Sequence, residues 1–132
     1  MPDTDAQHIQ VVSVEPAERF QGLDQLGMLI YPNRYVCPHC GYGVAFKETD
    51  FRRHAGLPFP VNLPPELAAS FVPAVEVFLE AYRAEGIILD FACPRCGAPV
   101  AIGFDWQEVH MAHLRSRPAM ILEAVTWPAT AS

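Results

Sequence analysis

Cys37-Pro38-His39-Cys40-Gly41 and Cys93-Pro94-Arg95-Cys96-Gly97 are two copies of one pattern, Cys-Pro-x-Cys-Gly, and they hold all four cysteines of the chain. In such a turn the two sulfurs point the same way. The proline restrains φ, and the glycine accepts a left-handed backbone. Backbone N–H groups fall near the first sulfur and offset the charge of a thiolate. Four thiolates from two such turns suit a closed tetrahedral site, which predicts one structural Zn²⁺ ligated by Cys37, Cys40, Cys93 and Cys96. Tetrahedral sulfur also suits iron, the alternative metal.

Working outward from each turn, Tyr35-Val36 enters the first and Tyr42–Phe46 leaves it, while Ile87–Ala92 enters the second and Val100–Phe104 leaves it. Each reads as strand, turn, strand. Ile9–Val14 and Met28–Tyr31 read as further strands, the latter stopped by Pro32-Asn33, and Met120–Trp127 as a last one. Glu15–Gln25 reads as a loop or short helix, and Glu48–His54 as one or two helical turns ended near Gly56. Pro58, Pro60, Pro64 and Pro65 make a stiff connector. The main helix follows, with Phe71, Val75, Phe78, Leu79 and Tyr82 on one apolar face, Ser70 as N-cap and Gly86 as C-cap. A shorter helical turn at Pro65–Ala69 precedes it. Asp105 and Glu108 form a capping-box pattern, predicting a short helix to about Leu114.

The two knuckles with their flanking strands, Tyr35–Phe46 and Phe91–Phe104, resemble the zinc-ribbon group, in which two Cys-x-x-Cys hairpins face each other across one metal. The resemblance covers about a fifth of the chain and implies the same four ligands. Fifty-two residues separate Cys40 from Cys93, where compact ribbons have ~15–20. Closing the longer loop costs only about 0.9 kcal/mol more, against roughly 10–16 kcal/mol from zinc binding. The expected fold is therefore α+β: a small antiparallel sheet with two zinc knuckles, enlarged by a helical insertion over about 47–86, with one main helix packed on it. By length, residues 1–132 form a single domain with loose tails at about 1–7 and 128–132.

The same knuckles are similar to the iron-binding loops of rubredoxins, which implies one Fe(Cys)4 passing single electrons. Rubredoxins are shorter between knuckles and lack a long helix there. Cys37-Pro-His-Cys40 alone also occurs in thiol oxidases of the thioredoxin class, where the first cysteine caps a helix. Here Gly41-Tyr42-Gly43-Val44 follows and reads as a strand.

Among the histidines, His110 and His113 fall three apart on the short helix expected there, a spacing that suits a second metal or a plain helix surface. His39, between ligands, is expected to face solvent. His54 joins Lys47, Arg52 and Arg53 in a basic spot, read as a solvated face or a contact for an acidic partner. Trp106 and Trp127 read as core or edge packing.

Composition narrows the function classes. Hydrophobic residues make up 51% and charged residues 18%, which suits a packed globule. The net charge is −6, with eight arginines and a single lysine; metal-bound thiolates would bring it to about −8. Such a chain lacks the clustered cations a general nucleic-acid binder needs. A nucleic-acid-binding ribbon would have to build its face from Arg34, Lys47, Arg52, Arg53 and Arg95. Met1–His8 is polar and acidic, unlike a secretory leader, and no apolar run spans a bilayer, so a cytoplasmic setting without a membrane partner is expected. Cysteines there are more often metal ligands than disulfides. No phosphate loop or nucleophile motif stands out, and no cysteine is spare. The expectation is a non-enzymatic protein that binds another protein, as an adaptor or as an immunity or inhibitor-type protein for a basic partner. The oligomeric state is left open.

Overall fold

The computed structural model describes residues 9–54, 56–110 and 113–128. Its strands are β1 (Val11–Val14), β2 (Phe20–Leu23), β3 (Leu29–Val36), β4 (Gly43–Val44), β5 (Gly86–Ala92), β6 (Pro99–His110) and β7 (His113–Ala124). Its helices are α1 (Glu48–His54), α2 (Pro65–Ala68) and α3 (Val72–Tyr82), with a 3-10 turn at Ala69–Phe71 joining the last two. The fold is α+β, as expected. The strands, however, divide between two antiparallel sheets, β1-β7-β6-β5 and β2-β3-β4, where a single sheet was expected.

Period-two alternation explains the layering, because neighbouring residues of a strand face opposite sides. In the four-stranded sheet, Ile88, Ala101 and Leu122 join Phe71, Val75 and Phe78 of the helical segment in one buried cluster. Ile87, Leu89, Val100, Ile102, Phe104 and Ile121 face the other way, into a second cluster shared with the three-stranded sheet. Both faces are covered, so β5 and β6 read as near-continuous apolar runs. Between the sheets lies an aromatic cluster. Phe51 and Phe104 meet edge-on at 4.8 Å, Phe46 and Phe104 at 5.6 Å, and Tyr35 and Phe91 at 5.9 Å. On the other side, Gly103 leaves the space that the Phe78 ring of α3 fills; a Cβ there would come within 2.8 Å of that ring.

Buried polar groups tie the layers together. Asn33 bridges β3 to Phe46, donating from Nδ2 to the Phe46 carbonyl and accepting from the Phe46 N–H. Asp90 accepts the backbone N–H groups of Val61, Asn62 and Leu63, the last at 2.7 Å. The proline-rich connector is thereby held against β5.

Several local expectations are corrected. The helix expected over Asp105–Leu114 is a β-hairpin: β6 runs to His110 and β7 starts at His113. Asp105 pairs in register with Arg117, and their side chains form an ion pair at 3.0 Å. The carboxylate that seemed placed to cap a helix is spent across strands. β7 therefore starts earlier than the strand expected at Met120–Trp127 and ends at Ala124. β3 is not stopped at Pro32. The β2–β3 register shifts between Gln21 and Leu23, where a proline lacking its N–H is tolerated. Glu15–Gln25 contains strand β2 as well as a 3-10 turn. Ser70 does not cap α3; its Oγ accepts the Ile9 N–H at 3.3 Å, and Phe71 occupies the cap position. At the other end Arg83, at φ 51°, terminates α3, and Gly86 already belongs to β5. The tail residues 1–7 and 129–132 lie outside the described residues.

Candidate metal centre

Each knuckle is the turn of a hairpin. The first joins β3 to β4 in the three-stranded sheet, and the second joins β5 to β6 in the four-stranded sheet. Their backbone geometry repeats. The Cys37 N–H donates to the Tyr42 carbonyl at 2.9 Å, and the Gly41 N–H to the Cys37 carbonyl at 2.8 Å. The Cys93 N–H donates to the Ala98 carbonyl and the Gly97 N–H to the Cys93 carbonyl, both at 2.8 Å. Gly41 and Gly97 close the turns at φ 81° and 83°, a conformation that favours glycine at these positions.

The turns bring the four sulfurs together. All four Sγ atoms lie within 4.8 Å of one another. Two pairs cross between knuckles, Cys40–Cys93 at 3.5 Å and Cys37–Cys96 at 3.7 Å. Zn–S bonds of ~2.3 Å in tetrahedral geometry place sulfurs about 3.8 Å apart. The first cysteine of each knuckle is buried and the second is half-buried. The cluster therefore has the donor set and spacing to hold one metal ion.

Electrostatics separate Cys37, Cys93 and Cys96. Burial pushes the Cys37 thiol up to about 12, although the backbone N–H groups of His39 and Cys40 act against it. Burial also raises Cys96, opposed by the Ala98 N–H. At Cys93 burial is the largest single influence and acts upward, but the N–H groups of Cys96 and Arg95, with the neighbouring thiols, outweigh it and bring the group down to about 7. Of these three, Cys93 is the thiol readiest to ionise. Cys37 needs a cation beside it before its buried thiolate becomes favourable.

Around the sulfurs sit groups that local sequence did not reveal. Trp127 Nε1–H donates to the Cys96 carbonyl at 2.8 Å and covers the second knuckle. No spacing rule links it to Cys96; its aromatic character was the only signal. His39 is not solvent-directed as expected: its Nε2–H donates to the Ala124 carbonyl at 3.1 Å, joining the first knuckle to the end of β7. Arg95 reaches across the knuckles to the Cys40 carbonyl and lies over the Tyr42 ring. Two residues before Cys37, Tyr35 donates to Glu123 Oε2 at 2.6 Å, and Arg19 pairs with the same carboxylate at 2.7 Å. Burial first, then the bond to Glu123, hold the Tyr35 phenol far above its usual range.

The remaining expected site residues do not converge. His110 and His113 stand opposite each other across the β6–β7 hairpin, not one helical turn apart, and their side chains lie outside the described residues. In the expected basic spot His54 is buried and Arg53 pairs with Asp50. Arg34, expected for a nucleic-acid face, bonds to Gln21.

Fold and site together define an α+β protein with a four-cysteine centre able to hold a metal ion, built from two Cys-Pro-x-Cys-Gly hairpins on separate sheets. No protein-family model, no curated protein and no solved structure matches the chain. Among the described residues no helix is long and apolar enough to cross a membrane.

Proposed function

We propose that Cys37, Cys40, Cys93 and Cys96 bind one structural Zn²⁺, and that the protein is a non-catalytic, cytoplasmic protein acting through its surface on another protein, as an adaptor or as an immunity or inhibitor-type protein for a basic partner. The convergence of four sulfurs within 4.8 Å carries the metal reading. Four protein thiolates fill a tetrahedral shell and leave no position for substrate or water, which favours a scaffold over a catalytic centre. The net charge of −6 favours a basic partner and disfavours nucleic acid. A single domain of zinc-ribbon type, enlarged between its knuckles, is the organisation that accompanies this reading.

Metal content by elemental analysis, with an absorption spectrum, tests the first half. One zinc per chain and no colour is the expected result. Stoichiometric iron with thiolate-to-iron absorption and reversible reduction would replace the scaffold by a rubredoxin-like electron carrier. Affinity capture with the zinc-loaded chain tests the second half. A basic protein retained near 1:1 and released by salt is expected, and retention of nucleic acid in its place would overturn the partner class.

A further inference from the structure

Beside the second knuckle, a cleft of about 190 Å³ opens between α1, the segment leaving β4, the connector and the end of β5. Its polar lining is Asp50, Arg53, His54, Asn62 and Asp90. Its apolar walls include Val44, Phe46, Leu89, Phe91 and Pro94. The volume is below the roughly 300–1,000 Å³ of a whole small-molecule site. It suits a single side chain reaching in from a larger partner.

The lining is rich in acceptors and poor in donors. Asp50 and Asp90 are carboxylates; Arg53 is the one formal cation of the lining, and it is largely exposed, 3.4 Å from Asp50. The formal charge is therefore negative, with the buried Asp90 carboxylate held by the Val61, Asn62 and Leu63 N–H groups and Asp50 accepting the Lys47 N–H. His54 is only 6% exposed, and its Nδ1 lies 2.9 Å from the Asp50 carbonyl, so that nitrogen carries the proton. In the neutral ring with that tautomer Nε2 is the acceptor, with only a long 3.4 Å contact to Asn62 Nδ2. Asn62 makes its better bond to the Asp90 carbonyl at 2.8 Å, and its side-chain oxygen accepts no hydrogen bond among the described residues. The buried His54 acceptor with its weak donor, and the exposed Asn62 oxygen beside it, suit a donor-bearing guest. The walls call for an alkyl stem behind it. Two small exposed residues of the lining, Ala45 and Ala92, leave the cleft open to solvent.

We propose that this cleft is an anchor pocket for one arginine or lysine side chain of the protein partner. The alkyl stem packs against Val44, Leu89 and Pro94, and the cationic head meets Asn62, His54 and Asp50. The proposal rests on the reading of a basic partner and names the place where that partner is gripped.

The test is an amide-resolved NMR titration of the zinc-loaded full chain with n-butylguanidinium, against butyrate as the anionic control of similar stem. Saturable shifts confined to residues 44–46, 53–54, 62 and 89–92, absent with butyrate, are expected. Ala45→Arg and Ala92→Arg each place a competing guanidinium at the mouth and should weaken n-butylguanidinium binding by about tenfold or more. Two variants are used so that one survives if the other disturbs the neighbouring knuckle, which zinc content reports. Shifts spread over the acidic surface without saturation, or equal shifts with butyrate, would overturn the pocket. A captured basic partner whose affinity is unchanged in both variants would also overturn it while leaving the proposed function intact. Localised n-butylguanidinium binding without any protein partner would do the reverse.

Discussion

At the residue scale, most of the chemistry rests on a few buried groups with defined partners. Cys93 has the lowered thiol and occupies one of four closely spaced sulfur positions. Cys93→Ser should therefore lose tight metal binding and lower the melting temperature sharply, read by zinc content and thermal unfolding. An unchanged melting point would mean the cysteines do not form a structural site. The thiol shifts also predict a proton count. Below pH 7 Cys93 is mainly protonated, and above it mainly ionised. Zinc loading at pH 6 should then release about one more proton from Cys93 than loading at pH 8, measured with an indicator dye in weak buffer. Glu123 is the other decisive residue. It is 2% exposed and serves both Arg19 and Tyr35. Glu123→Ala strands a guanidinium and a phenol and should cost about 3 kcal/mol in urea unfolding; Glu123→Gln, which keeps an acceptor for Tyr35, should cost less.

At the element scale, contact between α3 and the four-stranded sheet depends on a missing side chain. The Phe78 ring sits where a Cβ on Gly103 would project, in the middle of β6. Gly103→Val should push α3 off the sheet and cost about 1–3 kcal/mol, read by chemical denaturation. Exchange protection in β2–β3, on the far side of the sheet, should change much less, which separates a local overpacking effect from a general one. The β6–β7 hairpin shows how pairing overrides local signal. Asp105 and Glu108 match a helix start, yet ten residue pairs join β6 to β7, with register shifts between Gly103 and Phe104 and between Glu108 and His110, and Asp105 finds Arg117 across the ladder. A capping box stabilises a helix by about 1 kcal/mol, too little to compete with a long ladder buried beneath Phe104 and Ile121.

At the scale of the whole molecule, the four-cysteine centre brings the two layers together. One knuckle belongs to the three-stranded sheet and the other to the four-stranded sheet, so a single ion would bind Cys37 and Cys40 of one to Cys93 and Cys96 of the other. Treating the zinc-loaded protein with a strong chelator should increase hydrogen exchange at both knuckles and along β3, β4 and β5 together, with a fall in melting temperature restored by adding zinc. Exchange that rises at one knuckle alone would contradict the cross-link. The Arg19–Glu123–Tyr35 network and the His39–Ala124 bond join the same two layers. Some contact between the sheets should therefore persist without metal.

What the sequence determined by itself was whatever is encoded over a few neighbouring residues. Cys-Pro-x-Cys-Gly carries its own turn geometry and points both sulfurs one way, so the four-cysteine cluster was legible before any fold. The apolar face of Phe71–Tyr82 and the β-branched run Ile87–Ala92 were legible too, because period 3.6 and period 2 are local properties. Tertiary structure alone decided the rest. It split the strands into two sheets, sent Asp105 to Arg117 and Ser70 to Ile9, buried His54, and brought Trp127 over Cys96 from 31 residues away. The physical reason is common to all of these: a hydrogen-bonding group or an apolar face states that it needs a partner, while the choice among distant partners is made only when the whole chain packs.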